Sequence, residues 1–138
     1  MDKALNILSL ARKAGLCELG EEPVGAATRA LHARLVLVAS DASDHTWRRA
    51  KSFVAGTDQQ CIRVSYTKDE LGMAIGRQEL AIAAITDPGM ALSLVDGLGQ
   101  PEKYRDVIQI LTEKKKMAIQ RQKEAKAHTR NARFGKKK

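Results

Sequence analysis

Apolar side chains at the start of the chain repeat every three or four residues. They are Ala4, Ile7, Leu8, Ala11 and Ala14. This spacing puts them on one face of a helix, and glycine commonly follows a helix end, so the pattern predicts a helix over residues 2–14 that ends at Gly15. The runs RLVLVAS (34–40) and LAIAAIT (80–86) are instead continuously apolar, which is typical of strands covered on both faces.

The segments between these runs predict helices and strands in alternation. Further strands are predicted at 16–19 and at 61–65, where CIRVS alternates apolar and polar side chains. Further helices are predicted over residues 22–32, 44–55, 67–76 and 87–95. Such alternation with short connections indicates one layered α/β domain, which we place at residues 1–96.

The remainder of the chain, residues 97–138, has a different composition. The stretch DGLGQP (96–101) is typical of a linker. The apolar positions that follow it predict an amphipathic helix beginning at Pro101; they are Tyr104, Val107, Ile108 and Leu111. Beyond Thr112 the residues are mostly polar and cationic, which predicts a tail that is helical at first and disordered at its end when free.

Charge separates the two parts of the chain. The net charge is +8, yet residues 1–99 hold 11 Lys and Arg against 12 Asp and Glu, whereas residues 100–138 hold 13 against 4. A polycation is attracted to phosphates by a salt-sensitive, sequence-independent force. We therefore expect the cations of the tail to contact nucleic acid. They are Lys114, Lys115, Lys116, Arg121, Lys123, Lys126, Arg130, Arg133, Lys136, Lys137 and Lys138.

Catalytic and metal-binding patterns are absent from the sequence. It contains no phosphate-binding G-x-x-x-x-G-K-[ST], no G-x-S-x-G and no H-E-x-x-H, and its three histidines lack metal-ligand spacing. Cys17 and Cys61 are far apart, which predicts neither a disulfide nor a zinc site. The sequence lacks a membrane span and a signal-peptide pattern. We expect a cytoplasmic binding protein without enzymatic activity, metal or cofactor.

Four stretches, taken together in their order and spacing, resemble the kink-turn-binding ribosomal protein family (the L-seven-Ae and L-thirty-e proteins), and especially its bacterial YlxQ-like branch. They are LARKAGLCELGEE (10–22), LVLVASDAS (35–43), TKDELGMAIG (67–76) and LAIAAITD (80–87). The resemblance covers residues 3–95. It implies a three-layer α/β/α sandwich around a four-stranded mixed sheet. It also implies binding of structured RNA, typically the bent kink-turn with its sheared G·A pairs. Our leading hypothesis is a cytoplasmic RNA-binding protein that is associated with ribosomal RNA or with a ribosome-linked structured RNA.

The resemblance further implies two RNA-contacting regions. The start of the second helix enters the groove at the G·A pairs, and it corresponds here to Gly20, Glu21, Glu22, Pro23 and Ala26. A neighbouring pocket receives a flipped-out base, and it corresponds to Ser43, Trp47, Lys68, Arg77, Gln78, Glu79 and Leu80. The chain departs from the family at the first region, since Glu22 and Pro23 replace a polar pair and Ala26 replaces a lysine.

These departures leave several roles open. Glu21 and Glu22 either accept hydrogen bonds from a guanine edge or only stabilise the helix dipole, by about 0.3–1 kcal/mol. Arg29 either replaces the charge of the absent lysine or is merely solvated. Trp47 either packs in the core or stacks on an unpaired base. Lys68 and Arg77 either contact RNA or are solvated.

A second hypothesis belongs to another functional class. The acidic start of the second helix has lost RNA recognition and docks a basic protein at the ribosome, while the tail binds nucleic acid without specificity. Pro23 and Ala26 favour this alternative because neither side chain offers a charge or a hydrogen bond to RNA.

Overall fold

The computed structural model describes residues 2–135, and the side chains of residues 2–127. Helices and strands alternate within this range in the predicted order, and a last helix follows the fifth helix directly. They are α1 (Lys3–Lys13), β1 (Cys17–Leu19), α2 (Glu21–Arg29), β2 (Leu35–Val38), α3 (Asp44–Val54), β3 (Gln60–Arg63), α4 (Lys68–Ala74), β4 (Ile82–Ile85), α5 (Pro88–Gly97) and α6 (Arg105–Gly135).

Short polar side chains cap the starts of four helices. Asp2, Ser43, Thr67 and Asp87 each accept a hydrogen bond from a backbone N–H of the first turn, at 2.9 to 3.2 Å. Such a cap contributes about 1 kcal/mol to helix stability. The cap of α2 is different, because Gly20 has no side chain and a backbone φ of +98°, a conformation that is essentially restricted to glycine.

The strands form one mixed sheet in the order β1-β4-β2-β3. β4 is antiparallel to β1 and β2, and β2 is parallel to β3. In the register, Leu19 faces Ala83, and Val38 faces both Ile82 and Arg63. The ends of β1, β2 and β3 therefore meet the beginning of β4 at one end of the sheet, called the upper end below. At the lower end, β1, β2 and β3 begin and β4 ends.

Helices cover both faces of the sheet. α2 and α3 pack together as one layer, and α1, α4, α5 and α6 pack as the other. Every residue of the two central strands β2 and β4 is buried, which confirms the interpretation of the two apolar runs. Together these layers confirm the three-layer α/β/α sandwich.

The core extends beyond the predicted domain boundary at residue 96. Tyr104 is buried, and Leu111 is completely buried where α6 packs on α5. The prediction that the last helix begins at Pro101 was wrong. Residues 101–104 form a turn, closed by the N–H of Tyr104 donating to Gln100 at 3.2 Å, and continuous helix begins at Arg105 once Tyr104 is inserted in the core.

The tail is helical as far as Gly135. Its sequence is rich in Lys, Gln, Glu, Arg and Ala, which have high helix propensity. Lys136, Lys137 and Lys138 lie outside the described residues. Within the described range, no helix is both long and apolar enough to cross a membrane.

Candidate functional site

The segments of the folded domain that the resemblance assigns to RNA contact meet at the upper end of the sheet. The N–H of Gly20 donates to the carbonyl of Ile82 at 3.0 Å, which fixes the start of α2 beside the beginning of β4. The N–H of Lys68 donates to Oδ1 of Asp41 at 2.8 Å, and the carbonyl of Lys68 accepts from the N–H of Leu80 at 2.9 Å. The start of α2, the loop after β2, the start of α4 and the loop before β4 therefore form one surface.

The loop that carries Arg77 and Gln78 has a closely packed backbone. A Cβ added at Gly72 would lie 2.6 Å from Cα of Glu79, so only glycine permits this approach of the loop to α4. The N–H of Arg77 also donates to the carbonyl of Gly72 at 2.9 Å. The side chains of Arg77 and Gln78 are exposed. The loop thus holds two polar side chains on a fixed backbone.

Ser43 and Trp47 occupy the beginning of α3. The Oγ of Ser43 accepts from the N–H of Thr46 at 3.1 Å, so this hydroxyl is used as the helix cap. Trp47, one turn later, is partly buried and packs against the core. Two cations flank its ring, with Nζ of Lys51 at 5.3 Å and Cζ of Arg63 at 5.6 Å from a ring centroid.

Arg63 is a residue that the sequence reasoning missed. It stands at the end of the edge strand β3, where its Nη2 donates to the carbonyl of Ala42 at 2.7 Å and its Nε to that of Ala39 at 3.4 Å. The side chain therefore ties the loop after β2 to β3 and to Trp47. A cation at a strand end was visible in the sequence, but the loop carbonyls it binds are defined only by the fold.

A groove of about 500 Å³, called the α2 groove below, lies between α2 and α3 and extends from the first to the last turn of α2. Its lining includes Glu21, Glu22, Pro23, Ala26, Arg29 and Arg49. Ala26 is exposed there, so the wall is apolar where the resemblance implies a lysine. The carboxylate of Glu21 forms an ion pair with Nε of Arg49 from α3. Arg49 is a second residue that the sequence did not single out.

The first cations of the tail lie at the lower end of the sheet. Lys114 forms an ion pair with Asp58 in the loop before β3, and a hydrogen bond from this ammonium lowers the pKa of the Asp58 carboxyl. Cε of Lys115 lies 3.9 Å from where a Cβ of Gly89 would be, beside the first turn of α5. Both contacts are at the opposite end of the sheet from Gly20.

The remaining cations of the tail follow on the exposed part of α6. Lys116, Arg121, Lys123 and Lys126 are all exposed. Arg130 and Arg133 lie outside the residues whose side chains are described. The two predicted contact regions, on the body and on the tail, are therefore separated by the length of the sheet.

The comparisons with known proteins are consistent with this architecture. No protein-family model matches the chain. The RNA-binding protein YlxQ of Enterococcus faecium is 33% identical over 89 residues, which cover 64% of this chain and 84% of that protein.

Two solved structures extend the comparison to the fold. A protein of unknown function from Bacillus halodurans C has a TM-score of 0.67 and 28% identity, over 72% of this chain and 99% of that one. The Giardia lamblia 15.5kD RNA binding protein has a TM-score of 0.59 over 73% of this chain and 86% of that one. At 16% sequence identity to this chain, the similarity shows only that the two proteins share a fold.

Proposed function

The chain belongs to the YlxQ family, the bacterial branch of the kink-turn-binding ribosomal proteins, and from this premise we propose that it binds structured, kink-turn-like RNA through the upper end of its sheet. The observation that carries the proposal is the convergence of four segments at that end: the starts of α2 and α4 and the loops before β4 and after β2. A bent RNA needs such a shaped surface, because its recognition depends on splayed bases and backbone geometry.

Glu22 is the residue we assign to reading a base edge. Its side chain is exposed in the first turn of α2, where a carboxylate can accept hydrogen bonds from N1–H and N2–H₂ of a sheared guanine. Trp47 would stack on the flipped-out base with the accessible part of its ring. Lys68, Arg77 and Gln78 would contact phosphates and sugars nearby and would set the register without reading sequence.

The tail would supply affinity without sequence preference. From Lys116 to Gly135 the helix is roughly 30 Å long, so its cations can reach phosphates well away from the upper end. Ribosomal RNA offers phosphates at this density, and we propose association with the ribosome in the cytoplasm. The function is one of binding, without a catalytic step.

A second candidate function is favoured by the wall of the α2 groove. Pro23 and Ala26 are exposed and offer no side-chain hydrogen bond, while Glu22 adds a negative charge. Such a surface suits a basic protein segment at the ribosome, with the tail providing non-specific attachment to RNA.

A mobility-shift titration separates the two functions. A kink-turn RNA is compared with an RNA of equal length in which Watson–Crick pairs replace the sheared G·A pairs. We expect tighter binding to the kinked RNA, and equal affinity for both would contradict the proposal. Replacing Glu22 by Lys should abolish the preference if Glu22 reads a base. If it tightens binding to both RNAs alike, the carboxylate only repels phosphate and the protein-docking function is favoured.

A further inference from the structure

The α2 groove lacks the lysine of the family, yet it contains two arginines. Arg29 reaches it from the last turn of α2, and Arg49 reaches it from α3. Ala26 cannot make a phosphate contact from its own position. Among the described side chains that line this groove, the positive charges are those of these two guanidinium groups.

Glu21 fixes the direction of one of these groups. Its carboxylate binds Nε of Arg49, which is one of the five N–H donors of the guanidinium. The guanidinium has four further N–H donors, on Nη1 and Nη2. The pair is half-exposed, with 39% of the Glu21 side chain and 49% of the Arg49 side chain accessible, so it contributes little to folding stability. Its main effect is to orient Arg49.

Phe53 provides a second support for the same guanidinium. The Cζ of Arg49 lies 5.2 Å from the ring centroid of Phe53, a cation–π distance. Gly25 allows α2 to pack there, since a Cβ at this position would lie 3.1 Å from Cζ of Phe53 and 3.2 Å from Nη1 of Arg29. Arg49 thus lies beside the Phe53 ring, and both arginines line the open groove.

The charges explain why an acidic residue is compatible with a phosphate nearby. Arg49 offsets the charge of Glu21, whereas Glu22 in the same first turn keeps its negative charge in the groove. An arginine held at Nε can still bind a phosphate through its remaining donors, and this geometry is more specific than that of a lysine.

Resting on the RNA-binding function proposed above, we infer that Arg49 supplies the phosphate contact of the α2 groove from α3, with Arg29 beside it, and that Glu21 is its positioning residue. The cation that the family carries on α2 is thereby replaced by one from the neighbouring helix. Glu21 acts on RNA only through Arg49.

The test is a salt titration of the full-length protein with the kink-turn RNA. Replacing Arg49 by Gln should weaken binding about tenfold, as expected for one charge-assisted contact, and should lower the salt slope by about 1. Replacing Glu21 by Gln should weaken binding roughly three- to tenfold, although the change removes a negative charge. The double variant should bind no more weakly than Arg49→Gln alone.

Asp96→Asn is the matched control, since it removes the same charge from an exposed residue on α5, in the other helical layer. Its affinity should equal or slightly exceed that of the wild type. If Glu21→Gln behaves in the same way, or if the Glu21 and Arg49 effects multiply, the positioning role is overturned while the RNA-binding function stands. If the wild type does not prefer the kinked RNA, the proposed function fails and this inference fails with it.

Discussion

Arg63 contacts both Trp47 and the loop after β2, which precedes Trp47 in the chain. The Cζ of Arg63 is 5.6 Å from the Trp47 ring centroid, and its Nη2 donates to the carbonyl of Ala42 at 2.7 Å. Since the loop after β2 and the indole ring both belong to the proposed base pocket, one side chain holds these two parts of it together. Trp47 is the only tryptophan, so its fluorescence reports on this pocket.

Replacing Arg63 by Met should release the loop and expose the indole. We expect the emission of Trp47 to shift to longer wavelength. The free energy of unfolding should fall by about 1–3 kcal/mol, because the carbonyls of Ala39 and Ala42 would then lack a charged donor. Emission spectra and urea unfolding of the free protein measure both effects.

Lys51→Met is the matched control for this substitution. Lys51 flanks the same ring at 5.3 Å but is exposed. Its replacement should change the free energy of unfolding by less than about 0.5 kcal/mol. Equal effects of the two substitutions on emission and stability would show that Arg63 does not hold the loop.

The order of the elements could be predicted from the sequence because it depends on local patterns. The runs at residues 34–40 and 80–86 are long and continuously apolar, and both form buried central strands. The start of α6 was predicted wrongly: residues 101–104 form a turn that includes the buried Tyr104, and continuous helix begins only at Arg105.

The site was only partly predictable, for a physical reason. The positions taken from the resemblance converge because the strand register brings their loops together. The side chains that support them do not follow local patterns. Arg49 pairs with a residue on the preceding helix, and Arg63 binds carbonyls of a loop that lies one helix earlier in the chain. Neither contact can be predicted until the packing of the helices is known.

The ion pair between Asp58 and Lys114 makes the free energy of unfolding depend on pH. This contribution can be measured by substitution of Asp58. The hydrogen bond from Lys114 lowers the pKa of Asp58 below its ordinary value of 3.8. A lowered carboxyl pKa contributes stability that is fully present above the unfolded-state pKa and is lost as the pH falls through the folded-state pKa. The contribution is small because Asp58 is largely exposed, at most about 1 kcal/mol.

The measurement is the difference in unfolding free energy between the wild type and Asp58→Asn. We expect it to be constant above about pH 5 and to disappear below the lowered pKa, because the substituted side chain has no charge to lose. A difference that does not change with pH would mean that Asp58 stabilises the chain through packing or backbone contacts instead.

The separation of the tail from the upper end of the sheet predicts that affinity and selectivity can be changed independently. Lys116, Arg121, Lys123 and Lys126 are exposed on α6, beyond the Lys114–Asp58 pair that lies at the lower end. Replacing all four by Gln leaves the packing of Leu111 and the ion pair intact, so the fold should be unaffected. Binding should weaken for the kinked and the straight RNA by the same factor, since phosphate contacts carry no shape or base information. The slope of log affinity against log salt should decrease by up to about 3.6, which is 0.9 for each phosphate that the tail no longer neutralises. If the variant also binds both RNAs equally well, the tail takes part in recognition and the two regions do not act independently.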